Sequence, residues 1–284
     1  MTCRSSSTNY GEFLKICNRS YKITAVVCNL NFSQLKKNSI KFKSKAYPAV
    51  DVAILGFLQR VLAIQLQTAT TADNSNGSNV GSNALISPPH LLTEQLSIRK
   101  QAFSTLQHIA VQNVDAVLYS DTNKASLGDV LQLMSDGAVT APDPRMRKVC
   151  TQFFSELIQR WGRVEDDPQR GPSPPPSDIT HAFFEFVYGS FVPDMVRSVL
   201  DTSFNARDAL STRVLAEFGH TLWCLKDSRR GGAEFHSRVV ETLVRGDGGA
   251  GGSPAIVQGL QSATCGKDIE STLKAWKEAL GRPT

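Results

Sequence analysis

Between residues 144 and 161 the side chains Val149, Cys150, Phe153, Phe154, Leu157, Ile158 and Trp161 recur at steps of three and four. On an α-helix that spacing gathers them on one stripe, with Gln152, Glu156, Gln159 and Arg160 on the other side. Asp143 stands where an N-cap is expected, Pro144 takes the first helical position, where its missing N–H costs nothing, and Gly162 follows as the stop. The pattern predicts a complete helix with one apolar face, which must be buried against another element.

The same periodicity runs through the chain from residue 48 onward. Val52, Leu55, Leu58, Val61, Leu62 and Leu66 predict a helix, broken by "NSNGSNVGSN" at 74–83, a composition that cannot pack. A second helix runs from near Leu92 through Leu96, Ala102, Phe103, Leu106, Ile109 and Ala110 to about Asn113, and a shorter one spans Ala125 to Met134. Beyond the 144–161 helix, prolines in "RVEDDPQRGPSPPPSD" forbid continuation. Asp178 or Ser177 is placed to cap the next helix, whose stripe is Phe183, Phe186, Val187 and Phe191 until Pro193 bends or restarts it. Leu210, Val214, Phe218, Leu222 and Leu225 predict another, with Trp223 alongside, and Phe235, Val239, Val240, Leu243 and Val244 the next. The Gly-rich "GDGGAGGSP" separates it from Ile256, Val257 and Leu260, and a final helix carries Ile269, Leu273, Trp276 and Leu280.

No strict alternation competes with this outside the N-terminal tail, so the fold class is all-α. Helices of about 12 to 22 residues in antiparallel-looking pairs fit a HEAT-like or armadillo-type helical repeat, an α-solenoid with about 40 to 47 residues per unit. A compact helical bundle is the competing architecture. Residues 48–284 are expected to form this helical-repeat domain, with a linker or insert at 70–90, a Pro-rich loop at 163–177 and a Gly-rich loop at 246–253. Residues 1–47 are expected to be a poorly structured tail, disordered or unrelated to the fold.

Charge sharpens that division. The net charge of +5 resides in the tail, where nine Lys and Arg residues face Glu12 alone; residues 48–284 hold 22 basic and 25 acidic residues. The tail loosely suits an organellar transit peptide, but Lys outnumbers Arg and no amphipathic helix stands out. No run approaches a membrane span, so no membrane insertion is expected. The six cysteines include no C-x-x-C pair, which argues for buried thiols in a reducing compartment and against a zinc or disulfide framework. The tripeptides at Asn18, Asn31 and Asn76 match the glycosylation pattern, which carries no weight without a secretory signal.

Catalytic chemistry is missing. His90, His108, His181, His220 and His236 are scattered over different helices and loops, with no H-E-x-x-H and no nucleophile elbow. "GDGGAGG" lacks the Gly-Lys-Ser/Thr ending of a phosphate loop and follows a helix, and "EDD" at 165–167 lacks the spaced oxygen ligands of a calcium loop. No enzyme, cofactor or metal is expected. Trp161, Trp223 and Trp276 lie on or beside apolar stripes and read as packing. The basic groups Arg99-Lys100, Arg145-Arg147-Lys148 and Arg229-Arg230 sit at helix starts or ends, where a solubilising surface is the plain account.

Several stretches resemble one family in order. "DGAVTAPDPRMRKVCTQFFSELIQRWG" (136–162) is similar to the "GAVDYPDP…K-C…LVELWG" passage of the exportin-T family, karyopherin-β-type nuclear export receptors for tRNA. "FFEFVYGSFVPDM" (183–195) resembles that family's "F-x-x-F-V-Y-x-x-x-V-P" helix, "FNARDALSTRVLAEFGHTL" (204–222) its following "F-D-x-x-D-A" helix, and "PAIVQGLQSA" (254–263) a segment near its C-terminus. "IRKQAFSTLQHIAVQNVDAVL" (98–118) fits a preceding repeat. The resemblance covers residues 90 to 284, takes in only the C-terminal end of a longer family chain, and does not extend to residues 1–47. A fragment, a short paralogue or a mispredicted gene product is therefore expected.

What the resemblance implies is a HEAT-repeat receptor that wraps tRNA together with the GTP form of Ran, engages nuclear pore proteins, and shuttles between nucleus and cytoplasm. The matching motifs are packing motifs and name no ligand contact. Basic clustering alone nominates Arg99, Lys100, Arg145, Arg147, Lys148, Arg229 and Arg230 as contacts to the tRNA backbone. The alternative is a helical-repeat scaffold for protein partners without RNA binding.

Overall fold

The computed structural model describes residues 89–111, 115–163, 175–201, 203–228, 232–245 and 254–280, and every regular element among them is helical. In order these are α1 (Pro89–Val111), two 3₁₀ turns (Asp115–Tyr119 and Lys124–Ser126), α2 (Leu127–Thr140) and α3 (Pro144–Trp161). Then follow α4 (Ser177–Phe186), a π-helical turn (Val187–Phe191), α5 (Val192–Leu200), α6 (Ala209–Asp227), α7 (Gly232–Arg245), α8 (Pro254–Ser262) and α9 (Gly266–Leu280). The fold is all-α and of the HEAT-like helical-repeat type. The helix expected over Val52–Leu66, the tail and most of the insert at 70–90 lie outside the described residues.

The chain divides into two compact units, residues 1–108 with 116–127, and residues 109–115 with 128–284. In the first, α1 buries Ala102, Phe103 and Leu106, and the turn after it buries Val117 and Leu118. The Asn123 amide donates to the Val117 carbonyl at 3.0 Å and closes the loop between the two 3₁₀ turns.

In the second unit α3 is built as its sequence dictates. The Asp143 carboxylate accepts the Arg145 amide at 2.9 Å, and Cys150, Phe153, Phe154, Leu157, Ile158 and Trp161 are fully buried, with Val149 half-buried at the stripe's edge. Phe154 stacks on Phe191 at 3.9 Å between centroids, and Trp161 meets Phe183 edge-on at 4.8 Å. Burying each such aromatic is worth about 2–3 kcal/mol. One polar group is carried into this core: the Trp161 indole N–H donates to Asp115 at 2.6 Å, and Arg160 pairs with the same carboxylate.

Helix directions follow from who meets whom. Lys148 and Gln152 reach Glu217, Gln159 reaches Cys224, and Gly162 abuts Ser228, so α3 and α6 advance side by side in one direction. The α4–α5 segment runs back between their ends, since Trp161 meets Phe183 and Arg147 meets Ser198. Thus α3 and α6 are equivalent helices of successive pairs. Their starts, Pro144 and Ala209, are farther apart than the repeat of about 45 residues expected from periodicity, because the Pro-rich loop is inserted between them. Helix α9 packs against α6 in the opposite sense: Lys226 near the end of α6 reaches the carbonyls just before α9, and Lys277 near the end of α9 reaches those at the end of α5. The α6–α9 approach is close because Gly219 and Gly266 meet there; a β-carbon on Gly219 would lie 2.9 Å from the Gly266 carbonyl oxygen.

Two local expectations are corrected. Neither Asp178 nor Ser177 caps α4; Pro176 holds that position, and its carbonyl accepts the Thr180 amide at 3.0 Å. Pro176 is already extended, so the helix starts after it, and Asp178 serves the first turn by its charge. The helix expected over Ala125–Met134 begins as a 3₁₀ turn and continues to Thr140.

Pro193 restarts the helix through the π turn. Its ring has no N–H and collides with the carbonyl of residue 189, which widens the preceding turn. The widening has a use. Phe183, Val187, Phe191, Met195 and Val199 are all essentially fully buried at a strict spacing of four. In a regular α-helix that spacing drifts by about 40° per step, or about 160° over the series. The wider turn takes up part of the drift and holds the series nearer one face.

Candidate nucleic-acid interface

The basic residues expected to meet phosphates come from separate helices, and Arg99 and Lys100, expected at a helix start or end, lie in the middle of α1. Lys100 is exposed and Arg99 half-buried on α1, in the first unit. Arg145, Arg147 and Lys148 lie in the first turn and a half of α3, in the second. Arg229 and Arg230 lie outside the described residues.

The α3 group does not act as one cluster. Successive helical residues point about 100° apart, so three basic side chains within four positions diverge. Arg145 is exposed, and its backbone amide is the one capped by Asp143. Arg147 turns inward: Nε donates to the Ala138 carbonyl at 2.9 Å near the end of α2, the terminal nitrogen donates to the Ser198 hydroxyl of α5, and the guanidinium lies 5.6 Å over the Phe204 ring. Burial pulls its pKa below the ordinary arginine value, and the carbonyl, hydroxyl and ring face offset that cost. Lys148 leans on α6, with Nζ 3.4 Å from the Glu217 carboxylate, which also accepts the Gln152 amide at 3.0 Å. Arg145 is thus the member of this group most open to a phosphate.

Other basic side chains are committed to protein groups. Lys226 Nζ donates to the carbonyls of Leu260, Gln261 and Ala263 at 3.1, 2.8 and 2.7 Å, around the end of α8. Lys277 Nζ donates to those of Leu200, at 2.9 Å, and Asp201, at the end of α5. Together with Arg147 they supply positive charge where helix C-termini leave carbonyls unsatisfied. Arg238 on α7 pairs with Glu185 at 2.8 Å and Glu234 at 3.0 Å, and lies 5.4 Å over the Tyr188 ring. Burial of Tyr188, helped by the nearby Glu234 charge, holds its hydroxyl protonated well above the ordinary range.

Arg207 and Arg213, both exposed at the start of α6, stand outside the adjacent basic groups of the sequence. Because α3 and α6 run in parallel, Arg145, Lys148, Arg207 and Arg213 share one end of the pair, where the helix dipoles are also positive. Their proximity comes from a packing direction, not from sequence spacing. Acidic caps temper the edge: Asp208 accepts the Ser211 amide at 2.8 Å and Asp143 that of Arg145. The histidines His108, His181, His220 and His236 are exposed on four different helices. Among the described residues no group of three or more His, Cys, Asp or Glu is gathered closely enough to hold a metal ion, and no helix is long and apolar enough to cross a membrane.

Parallel helices of successive pairs, returning helices between them and basic residues set out singly along an edge define a helical-repeat protein with a distributed polar surface. Comparison with known proteins gives the family. The exportin-T family model matches residues 29–252, and the chain belongs to that family. Exportin-T of Mus musculus is 25% identical over 182 residues, covering 64% of this chain and 16% of that protein. Exportin-T of Danio rerio is 29% identical over 129 residues, 45% of this chain and 12% of that one. Exportin-T of Oryza sativa subsp. japonica is 27% identical over 137 residues, 48% and 13% respectively. The chain therefore spans 16% or less of the length of these relatives. No solved structure matches it.

Proposed function

We propose that this chain is part of a tRNA nuclear export receptor, holding the phosphate backbone of tRNA cooperatively with Ran in its GTP form. In this reading the receptor passes between nucleus and cytoplasm through contacts with nuclear pore proteins and catalyses no reaction. The observation that carries the proposal is membership of the exportin-T family over most of the chain. The surface is compatible with it: exposed Arg145, Arg207 and Arg213, with Lys148 beside them, are single, spaced positive charges of the kind that read a backbone by many modest contacts. Arg99, Lys100, Arg229 and Arg230 keep their nominated role. Arg147 acts indirectly by holding α2, α3 and α5 together.

Cooperation between tRNA and Ran is reciprocal by linkage, so each must raise the affinity of the other by the same factor. The test is a gel-shift titration of tRNA against the chain, alone and carried within a full-length exportin-T chimera, with and without Ran-GTP. Charge reversal at Arg145 and Arg213 is expected to weaken binding and to flatten its salt dependence by about one unit per lost phosphate contact. A chimera that exports tRNA no better with this segment than with an unrelated helical spacer would overturn the proposal. Retained protein binding without any RNA shift would favour a protein-only scaffold.

A further inference from the structure

We propose that Gln159, His220 and Cys224 form a binding site for a thiophilic divalent metal ion such as Zn²⁺, joining α3 to α6. His220 and Cys224 stand one turn apart on α6, with Nε2 3.5 Å from Sγ. From α3, the Gln159 side-chain amide reaches both, 3.2 Å from Nε2 and 3.1 Å from Sγ. Three heteroatoms on two helices thus form a small triangle.

The dimensions suit a metal. A nitrogen at about 2.05 Å and a sulfur at about 2.3 Å from zinc, subtending a tetrahedral angle, are about 3.5–3.6 Å apart. The His–Cys separation already has that value, so neither helix need move. The i, i+4 spacing puts both donors on one helical face, as in helical zinc sites. A half-turn of the Gln159 amide exchanges its nitrogen for its oxygen and presents an acceptor at nearly the same place. Glu156, one turn earlier on α3, is half-buried and close enough to act electrostatically on Cys224. Cys224 is buried while His220 and Gln159 are exposed, which gives the ion a protected sulfur and an open approach. Water would fill the fourth position.

Without metal the same groups satisfy one another: the Gln159 amide nitrogen donates to the sulfur and lies within hydrogen-bond distance of the imidazole nitrogen. Binding exchanges the thiol proton for the metal and releases that proton to solvent.

The experiment uses the full chain, reduced and metal-free, with Cys3, Cys17, Cys28 and Cys265 changed to Ser so that their thiols do not compete. Titration with Cd²⁺ is followed by the thiolate-to-metal charge-transfer band in the ultraviolet, and Zn²⁺ affinity is read by competition with a chromophoric chelator. One equivalent is expected to bind with the band of a single thiolate. Cys224→Ser removes the band. His220→Ala, an exposed position that leaves folding intact, weakens binding by about tenfold or more. Zn²⁺ raises the Tm of the parent and not of H220A. A band that survives in C224S, equal affinity in H220A, or no stoichiometric binding would overturn the site and leave the three groups a purely structural hydrogen-bonded triad.

Discussion

Replacing Arg147 and Arg145, two residues apart on α3, by Met separates a packing arginine from a surface one. Met keeps most of the apolar stem, so the measured difference reports the guanidinium head. At Arg147 the substitution removes the 2.9 Å bond to the Ala138 carbonyl, the bond to Ser198 and the approach to the Phe204 ring. Hydrogen bonds to a charged group contribute about 1.5–3 kcal/mol, and a desolvated cation–π contact about 0.5–2 kcal/mol. Water reaches this half-buried site and replaces part of the loss, so Arg147→Met is expected to cost about 2–4 kcal/mol. Arg145 is exposed and contributes to the cap only through its backbone amide, so Arg145→Met should stay within about 0.5 kcal/mol of the parent. Equilibrium urea unfolding followed by circular dichroism measures both. On the proposed function, R145M should lower tRNA affinity, whereas R147M should keep it under conditions where it is still folded. The reasoning is refuted if R147M unfolds at the parental midpoint, or if R145M is destabilised as much.

Three further outcomes follow from packing and charge. Gly219→Ala places a methyl 2.9 Å from the Gly266 oxygen and 3.0 Å from the Glu270 amide nitrogen, backbone atoms that yield only if α9 shifts. The change should cost about 1–3 kcal/mol in thermal unfolding, whereas an increase in Tm from the better helix former would show that α6 and α9 are not this close. Trp161→Phe removes the indole donor to Asp115 and leaves a gap in the α3 core, with an expected loss of about 2–4 kcal/mol; a loss under about 1 kcal/mol would mean the hydrogen bond is replaced by water. Finally, the Ser211 amide and hydroxyl hold Asp208 below the usual carboxylate range, and those of Thr264, with Cys265, do the same for Asp268. Depressed folded-state values mean stability that is present above the ordinary carboxylate pKa of about 3.9 and is lost as pH falls through and below it. Because asparagine caps without titrating, the double variant Asp208→Asn, Asp268→Asn should flatten the fall of Tm below about pH 4, and parallel Tm curves would contradict this.

Much of the fold was legible because helix formation is local. The stripe from Cys150 to Trp161, the Asp143 cap and the Gly162 stop depend on residues within a few turns, and all appear as the pattern dictates. The α4 start does not follow the capping preference of residue type, because the extended Pro176 just before Ser177 sets it. The candidate interface was less legible for a physical reason. Arg145, Arg147 and Lys148 look alike in sequence, and only the placement of Ala138 on the preceding helix and of Ser198, Phe204 and Glu217, far away in the chain, decides which faces water. Arg213 joins Arg145 only through the parallel packing of α3 and α6. Gln159, His220 and Cys224 were invisible as a group for the same reason, since one member comes from another helix.

The π turn at Val187–Phe191 bears on how this chain could change over time. A π turn is what an α-helix becomes when it accommodates one additional residue without breaking. Gly189 sits in it exposed, with nothing within 4 Å of where a side chain would begin. Length can therefore vary by one residue inside what reads as uninterrupted helix, and the apolar series on either side stays in place. A one-residue deletion at Gly189 is therefore expected to turn the π turn back towards α winding and leave the apolar series on either side buried.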